Sequence, residues 1–273
     1  MSVAVEPTET DSMGTELRIE SSEELMSTEG KSRLRQSLLR HVVVRVISED
    51  PIDPAAISAI ATELGDPPSY TSAGVSAVPG HEIIGDFSAR AKFDDGRSRS
   101  AAATESLHQD YGVMMTGFSS HSILYTRDVP PVQPMRWVSA ESVYASLAGD
   151  IQERICALRV IYASGLDRAE GPRRPLVLAH PETGKPVLHL PLRRDAIVEN
   201  VPQAESETIM STLWEAIESS PVRYEHVLEP NDLYVWDNVA SFHDNPAFPR
   251  DRDRVVWFLT IPCELKPQRY VQN

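Results

Sequence analysis

His108-Gln109-Asp110 sets an imidazole and a carboxylate two residues apart. On an extended strand, residues i and i+2 point to the same face, so one ring nitrogen and one carboxylate oxygen could meet a single cation. Alone, this spacing is a weak signal, because so short a pattern recurs by chance. A second group stands near the other end of the chain, where Asn231-Asp-Leu-Tyr-Val-Trp-Asp-Asn238 is followed by Ser241-Phe-His243 and then by Arg254. Two histidines and one carboxylate form the facial triad that suits non-haem Fe(II), with three coordination positions left open. A structural zinc site would be closed by four protein ligands, and no fourth candidate stands out.

The elements that must carry these residues are mostly short strands. The run His41 to Ile47 is rich in β-branched residues and bounded by Ser-Glu-Asp-Pro, which predicts a strand. A helix follows, with Asp53 as cap, Pro54 in its first turn and Ile57, Ile60, Ala61 and Leu64 on one face; Gly65 and Pro67-Pro68 end it. Met210, Leu213, Trp214 and Ile217 fall at helical spacing, so Glu205 to Ser219 reads as an amphipathic helix, and Ser139 can cap another. Ile123–Thr126, Leu158–Tyr162, Val187–Leu190, Leu233–Trp236 and Val255–Ile261 read as strands. Many short strands with a few helices outside them favour a sandwich or jelly roll over a doubly wound sheet. Residues 1–30 lack a sustained apolar period and read as a disordered tail, leaving 31–273 as one domain. Ser69 to Thr104 reads as short strands joined by long loops, a usual place for a lid.

Composition narrows the function classes. The chain has 273 residues, 41% of them hydrophobic, enough for one large domain with an enclosed site. A net charge of −14 repels nucleic-acid phosphates and anionic lipid, so neither is an expected partner. Cys156 and Cys263 form no CxxC pair. There is no long apolar run and no basic start of a secretion signal, so the expected location is the cytoplasm. The expected partner is a small-molecule substrate, with a homo-oligomer left open.

The order HxD, then WDN-x4-H, then an Arg eleven residues beyond that His (254 − 243), resembles the TauD/TfdA family of Fe(II)/2-oxoglutarate-dependent dioxygenases. Leu176 to Leu188 is similar to the HPxTGxxxL stretch of that family, and the helix from Ile57 to Gly65 matches in place and character. The likeness covers about Leu34 to Ile261 and implies a double-stranded β-helix (a cupin-like jelly roll) with flanking helices. It further implies that His108, Asp110 and His243 are the catalytic iron ligands and that Arg254 pairs with the distal carboxylate of 2-oxoglutarate. A guanidinium fork suits that role. The implied reaction consumes 2-oxoglutarate and O2, releases succinate and CO2, and hydroxylates, desaturates or otherwise oxidises a C–H bond of a small molecule, as in specialised metabolism. The carboxylate of Asp110 argues against halogenation, which needs a halide at that position.

Two departures bear on the substrate and cofactor. Taurine-type members carry a second Arg four residues after the cofactor Arg, where this chain has Phe258. A sulfonate loses its anchor there, and an apolar or aromatic substrate face is favoured. Arg136 falls near a Thr that contacts 2-oxoglutarate in the family; either Arg136 makes that contact or the contact is missing. Tyr111, directly after the ligand pair, is a second candidate for the substrate pocket, although a half-buried strand tyrosine is the commoner role. Trp236 and Asn238 are expected to support the second ligand strand, His180 to stabilise its turn, and His121, His189 and His226 to be structural. The competing readings are a non-catalytic jelly-roll binding protein and a divalent-metal hydrolase using the same ligands.

Overall fold

The computed structural model describes residues 13–71, 76–88, 105–110, 119–130, 134–162, 172–193, 196–246, 254–263 and 268–271. In chain order the first elements are β1 (Thr15–Ile19), α1 (Ser22–Met26), α2 (Thr28–His41), β2 (Val43–Ser48), α3 (Pro54–Leu64), β3 (Ala77–Val78), β4 (His81–Asp86), β5 (Glu105–His108), β6 (Ser119–Asp128) and β7 (Met135–Ser139). There follow α4 (Ala140–Ser146), α5 (Gly149–Cys156), β8 (Arg159–Tyr162), β9 (Arg173–Pro175), β10 (Val177–Ala179), β11 (Pro186–Leu188) and β12 (Ala196–Val198). The last are α6 (Gln203–Ser219), β13 (Arg223–His226), β14 (Asp232–Asp237), β15 (Ser241–Asn245), β16 (Val255–Pro262) and β17 (Gln268–Arg269).

A seven-stranded sheet, β1-β2-β14-β6-β16-β4-β3, faces a four-stranded sheet, β13-β7-β15-β5. This is the jelly roll expected from the strand pattern. Alternation along the strands builds three layers of core. Leu124, Tyr234, Trp236 and Val256 of the large sheet meet Met135 and Trp137 of the small one, between the sheets. The opposite residues of the same strands, Ile123, Tyr125, Leu233, Val235, Trp257 and Leu259, pack under Leu34 and Leu38 of α2 and Ile57 and Ile60 of α3. The outer face of the small sheet, through Leu107, Val138 and Phe242, lies under Val143 of α4 and Leu213, Trp214 and Ile217 of α6.

The helices start where the caps predict. Asp53 accepts the Ala55 N–H at 2.7 Å before Pro54, and Ser139 accepts the Ser142 N–H at 3.2 Å. The N-terminal expectation needs correction. β1 and α1 both lie within residues 1–30, and β1 pairs in parallel with β2 from Thr15↔Val44 to Ile19↔Ser48. In β1 only Leu17 and Ile19 are buried, and α1 buries Leu25 alone, so neither shows a local period; the β2 edge and the helices beside it order them. Of the loop-rich stretch, β3 and β4 are seen; 72–75 and 89–104 lie outside the described residues, and with them most of the expected lid. Among the described residues no helix is long and apolar enough to cross a membrane.

Candidate metal centre

β5 and β15 pair antiparallel with His108 directly opposite His243, and on the other side of β15 His243 stands opposite Trp137. Residues opposite one another in a ladder share a face. Leu107 and Phe242 enter the outer core, so His108 and His243 point between the sheets. A bulge follows at His243/Asn245, the kind of irregularity that re-aims a side chain. The two imidazole rings lie 4.5 Å apart between centroids. Asp110 completes the group: Oδ1 is 3.8 Å from His108 Nε2, and Oδ2 is 3.5 Å from His243 Nε2. One ligand atom from each of the three residues falls within 4.8 Å of the others.

The surroundings fix these groups and bias their charge. Ser122, on the inner face of β6, donates to Asp110 Oδ2 at 2.6 Å. Burial opposes ionisation of Asp110, but the facing imidazoles of His243 and His108 and the Ser122 hydroxyl outweigh it and hold the carboxyl below its usual range. His243 is fully buried, and neither of its ring nitrogens has a hydrogen-bond partner among the described residues. An orphaned imidazole nitrogen aimed at an ionised carboxylate and a second imidazole fits a divalent metal, which would take up that lone pair. The His243 ring is held by aromatic packing, with Trp236 4.9 Å away between centroids.

Asn238 does more than support the second ligand strand. Its Oδ1 accepts the Asp110 N–H at 2.7 Å, while its Nδ2 donates to the Asp110 carbonyl at 3.0 Å and to the Ser119 carbonyl at 3.1 Å. Behind it, Asp237 Oδ1 accepts the N–H groups of Val239 and Ala240, and Asp237 Oδ2 faces His180 Nε2 at 2.9 Å. His180 Nδ1 in turn accepts from the N–H groups of Glu182 and Thr183, so its role is the expected turn-stabilising one. His226 bonds Tyr234 Oη, and burial lowers the pKa values of His121 and His189, in keeping with structural roles.

Arg254, immediately before β16, is 4% exposed, and burial pulls its guanidinium below the usual range. Phe258 lies on β16, with Trp236 6.2 Å and Phe87 5.7 Å away between ring centroids. The structure does not bring Arg136 into this group. Its neighbour Trp137 faces His243, so Arg136 points to the other side of β7, where Nε meets Asp244 at 2.6 Å and Nη1 meets Glu218 of α6 at 3.4 Å. That ion-paired position corrects the expectation of a cofactor contact. Tyr111 lies outside the described residues.

Residues 4–260 match the family model described as "Taurine catabolism dioxygenase TauD, TfdA family". The chain belongs to the TauD/TfdA family of 2-oxoglutarate-dependent dioxygenases. Two curated relatives are each named (S)-phenoxypropionate/alpha-ketoglutarate-dioxygenase. The one from Sphingobium herbicidovorans is 34% identical over 97 residues, 36% of this chain and 33% of its own length. The one from Delftia acidovorans is 34% identical over 93 residues, 34% of this chain and 32% of its own length. The match therefore spans about a third of each relative. Among solved structures, a taurine dioxygenase from Burkholderia xenovorans is similar at a TM-score of 0.73, with 23% identity over 94% of this chain and 88% of its own. The protein AAD-2, in complex with Mn(II) and N-oxalylglycine, is similar at a TM-score of 0.75, with 16% identity over 98% of this chain and all of its own. At those identities the likeness is one of fold.

Sequence reasoning missed Ser122 and the reach of Asn238. Ser122 gave no signal of its own, because β6 also carries Ser119, Ser120, His121 and Thr126. For Asn238 there was none either, because its partner Asp110 is 128 positions away.

Proposed function

We propose that this protein is an Fe(II)- and 2-oxoglutarate-dependent oxygenase that oxidises a C–H bond of a small organic molecule in specialised metabolism. The observation that carries the reading is the convergence of His108, Asp110 and His243 between the two sheets, with their ligand atoms within 4.8 Å. These three residues would hold Fe(II), which when bound supplies the redox chemistry joining O2 and 2-oxoglutarate to substrate oxidation. For a hydroxylation the overall change balances as 2-oxoglutarate plus O2 plus R–H giving succinate, CO2 and R–OH; a desaturation gives an alkene and water in place of the alcohol.

The residues of the chain do the rest. Asp110 stays ionised at neutral pH and, oriented by Ser122 and Asn238, keeps its oxygens toward the two imidazoles. Arg254 offers a buried fork matched in charge and shape to the distal carboxylate of 2-oxoglutarate. Leu124, Trp236, Val256 and Phe258 give the sandwich interior an apolar wall that excludes water. That wall favours a substrate with an apolar or aromatic face. The phenoxypropionate named for both curated relatives has such a face, and aryloxy acids are the first substrates to try.

The test is anaerobic loading of the metal-free protein with Fe(II), followed by 2-oxoglutarate and O2 with and without a panel of aryloxy acids. Succinate should form only with all three present and should rise with a true substrate. Activity that persists without O2, or that needs zinc, would replace the oxygenase by a hydrolase.

A further inference from the structure

β5 ends at His108, so Asp110 has no place in the strand ladder. Two side-chain amides stand in for it. Asn238 pairs with both the N–H and the carbonyl of Asp110, as a neighbouring strand would. Gln109, between the two candidate ligands, faces the opposite way, into the outer core that Leu107 enters. Its side chain is 1% exposed and is satisfied at both ends. Nε2 donates to the Val239 carbonyl at 3.0 Å and lies 3.5 Å from the Leu188 carbonyl, while Oε1 accepts the Leu190 N–H at 3.1 Å. Val239 belongs to the turn that leads into β15 and delivers His243; Leu188 and Leu190 belong to the end of β11 and the segment after it.

An amide that only needed a buried partner could meet one segment. This one ties the middle of the His108-Gln109-Asp110 step to two others, one of which carries the third ligand. With residue 109 anchored outward, residues 108 and 110 are both turned inward. We propose that Gln109 is a positioning residue of the metal centre, whose carboxamide holds the His108–Asp110 spacing in register with the turn that delivers His243. The inference rests on the metal reading given above. Groups that orient metal ligands without touching the ion characteristically change metal affinity by about 10–100-fold when removed.

The experiment measures Mn(II) binding to the metal-free, full-length protein by the loss of the free-ion electron paramagnetic resonance signal. Gln109→Met keeps the side-chain length and removes all three contacts, and its dissociation constant should rise about tenfold or more. Ile217→Val trims the same outer core away from the ligand strand, so it should lower thermal stability and leave the dissociation constant unchanged. A Gln109→Met protein that binds Mn(II) within about twofold of the wild type overturns the inference, as does an equal loss in Ile217→Val, since a merely structural role would give either result. If Gln109→Met does not fold, Gln109→Glu decides by the same measure: it keeps the acceptor for Leu190 and sets a carboxylate against the Val239 carbonyl. A wild-type chain that takes up no Mn(II) would remove the metal reading itself, and this inference with it.

Discussion

Replacing His180 by alanine tests how firmly the back of the metal centre is held. His180 and Asp237 are 6% and 8% exposed, and His180 Nε2 lies 2.9 Å from Asp237 Oδ2. In the neutral ring Nδ1 accepts two backbone N–H groups at 3.3 Å each, so the proton sits on Nε2 and donates to the carboxylate; charging the ring gives up those two long contacts and keeps the one to Asp237. Among the described residues, His180→Ala leaves Asp237 hydrogen-bonded to the Val239 and Ala240 N–H groups, with the field of His121 beside it. Losing a charge-assisted hydrogen bond at a buried site costs about 1.5–3 kcal/mol, and the space left by the ring adds about 1 kcal/mol, for about 3 kcal/mol together. For a chain of this size that lowers the unfolding midpoint by roughly 6–12 °C. The pH dependence has a definite sign. Burial works against the charge of His180 but Asp237 outweighs it, so its pKa is raised; Asp237, despite its burial, is lowered by the His180 bond. The Asp237 contribution is present above the ordinary carboxyl pKa and is lost as pH falls through the folded value. The His180 contribution is complete below the ordinary imidazole pKa and declines as pH rises through the folded value. The difference between wild type and variant is therefore greatest between about pH 4 and 6.5. Urea unfolding of both proteins across pH 4–9 measures it; a difference below about 1 kcal/mol at pH 6, or one flat across the range, would refute the reasoning.

Three further outcomes follow from the same geometry. His108→Ala should abolish succinate formation and weaken metal uptake while the circular dichroism of the apo protein stays unchanged; full retained activity removes the proposed centre. Arg254→Lys should raise the KM for 2-oxoglutarate about tenfold, because an ammonium cannot reproduce the bidentate fork, and steady-state kinetics at saturating Fe(II) would show it. Arg45→Ala should destabilise the fold by about 3 kcal/mol in urea titrations, because its Nε lies 2.9 Å from Asp232 Oδ2 and Asp232, 3% exposed, would lose that counter-charge and keep the Tyr234 hydroxyl and the Glu229 N–H.

What could be read from the sequence was whatever is local. The cap at Asp53, the stripe Met210-Leu213-Trp214-Ile217 and the β-branched runs at Val43 and Val255 each carry their own period or punctuation, and each forms the expected element. The three candidate ligands were legible because residue type and order alone single them out. Features decided by partners distant in sequence were not. β1 has too little apolar surface to announce itself and is ordered by β2. Arg136 matches a cofactor contact by position, yet strand alternation turns it outward to Asp244, and that parity is known only once Trp137 is seen opposite His243. Gln109 looks like a spacer in the sequence because its partners, Val239 and Leu190, lie 130 and 81 positions away.

The register of β5 against β15 also dates the birth of the site. His108 and His243 become neighbours only when strands 135 positions apart (243 − 108) have zipped together across a finished sandwich. Pairing between strands so far apart in sequence is intrinsically slow. Until β5 and β15 have paired, His108 and Asp110, two of the three candidate ligands, stand without His243. Iron capture would then mark a completed fold, and an immature molecule would be spared the oxidising chemistry that its mature form contains.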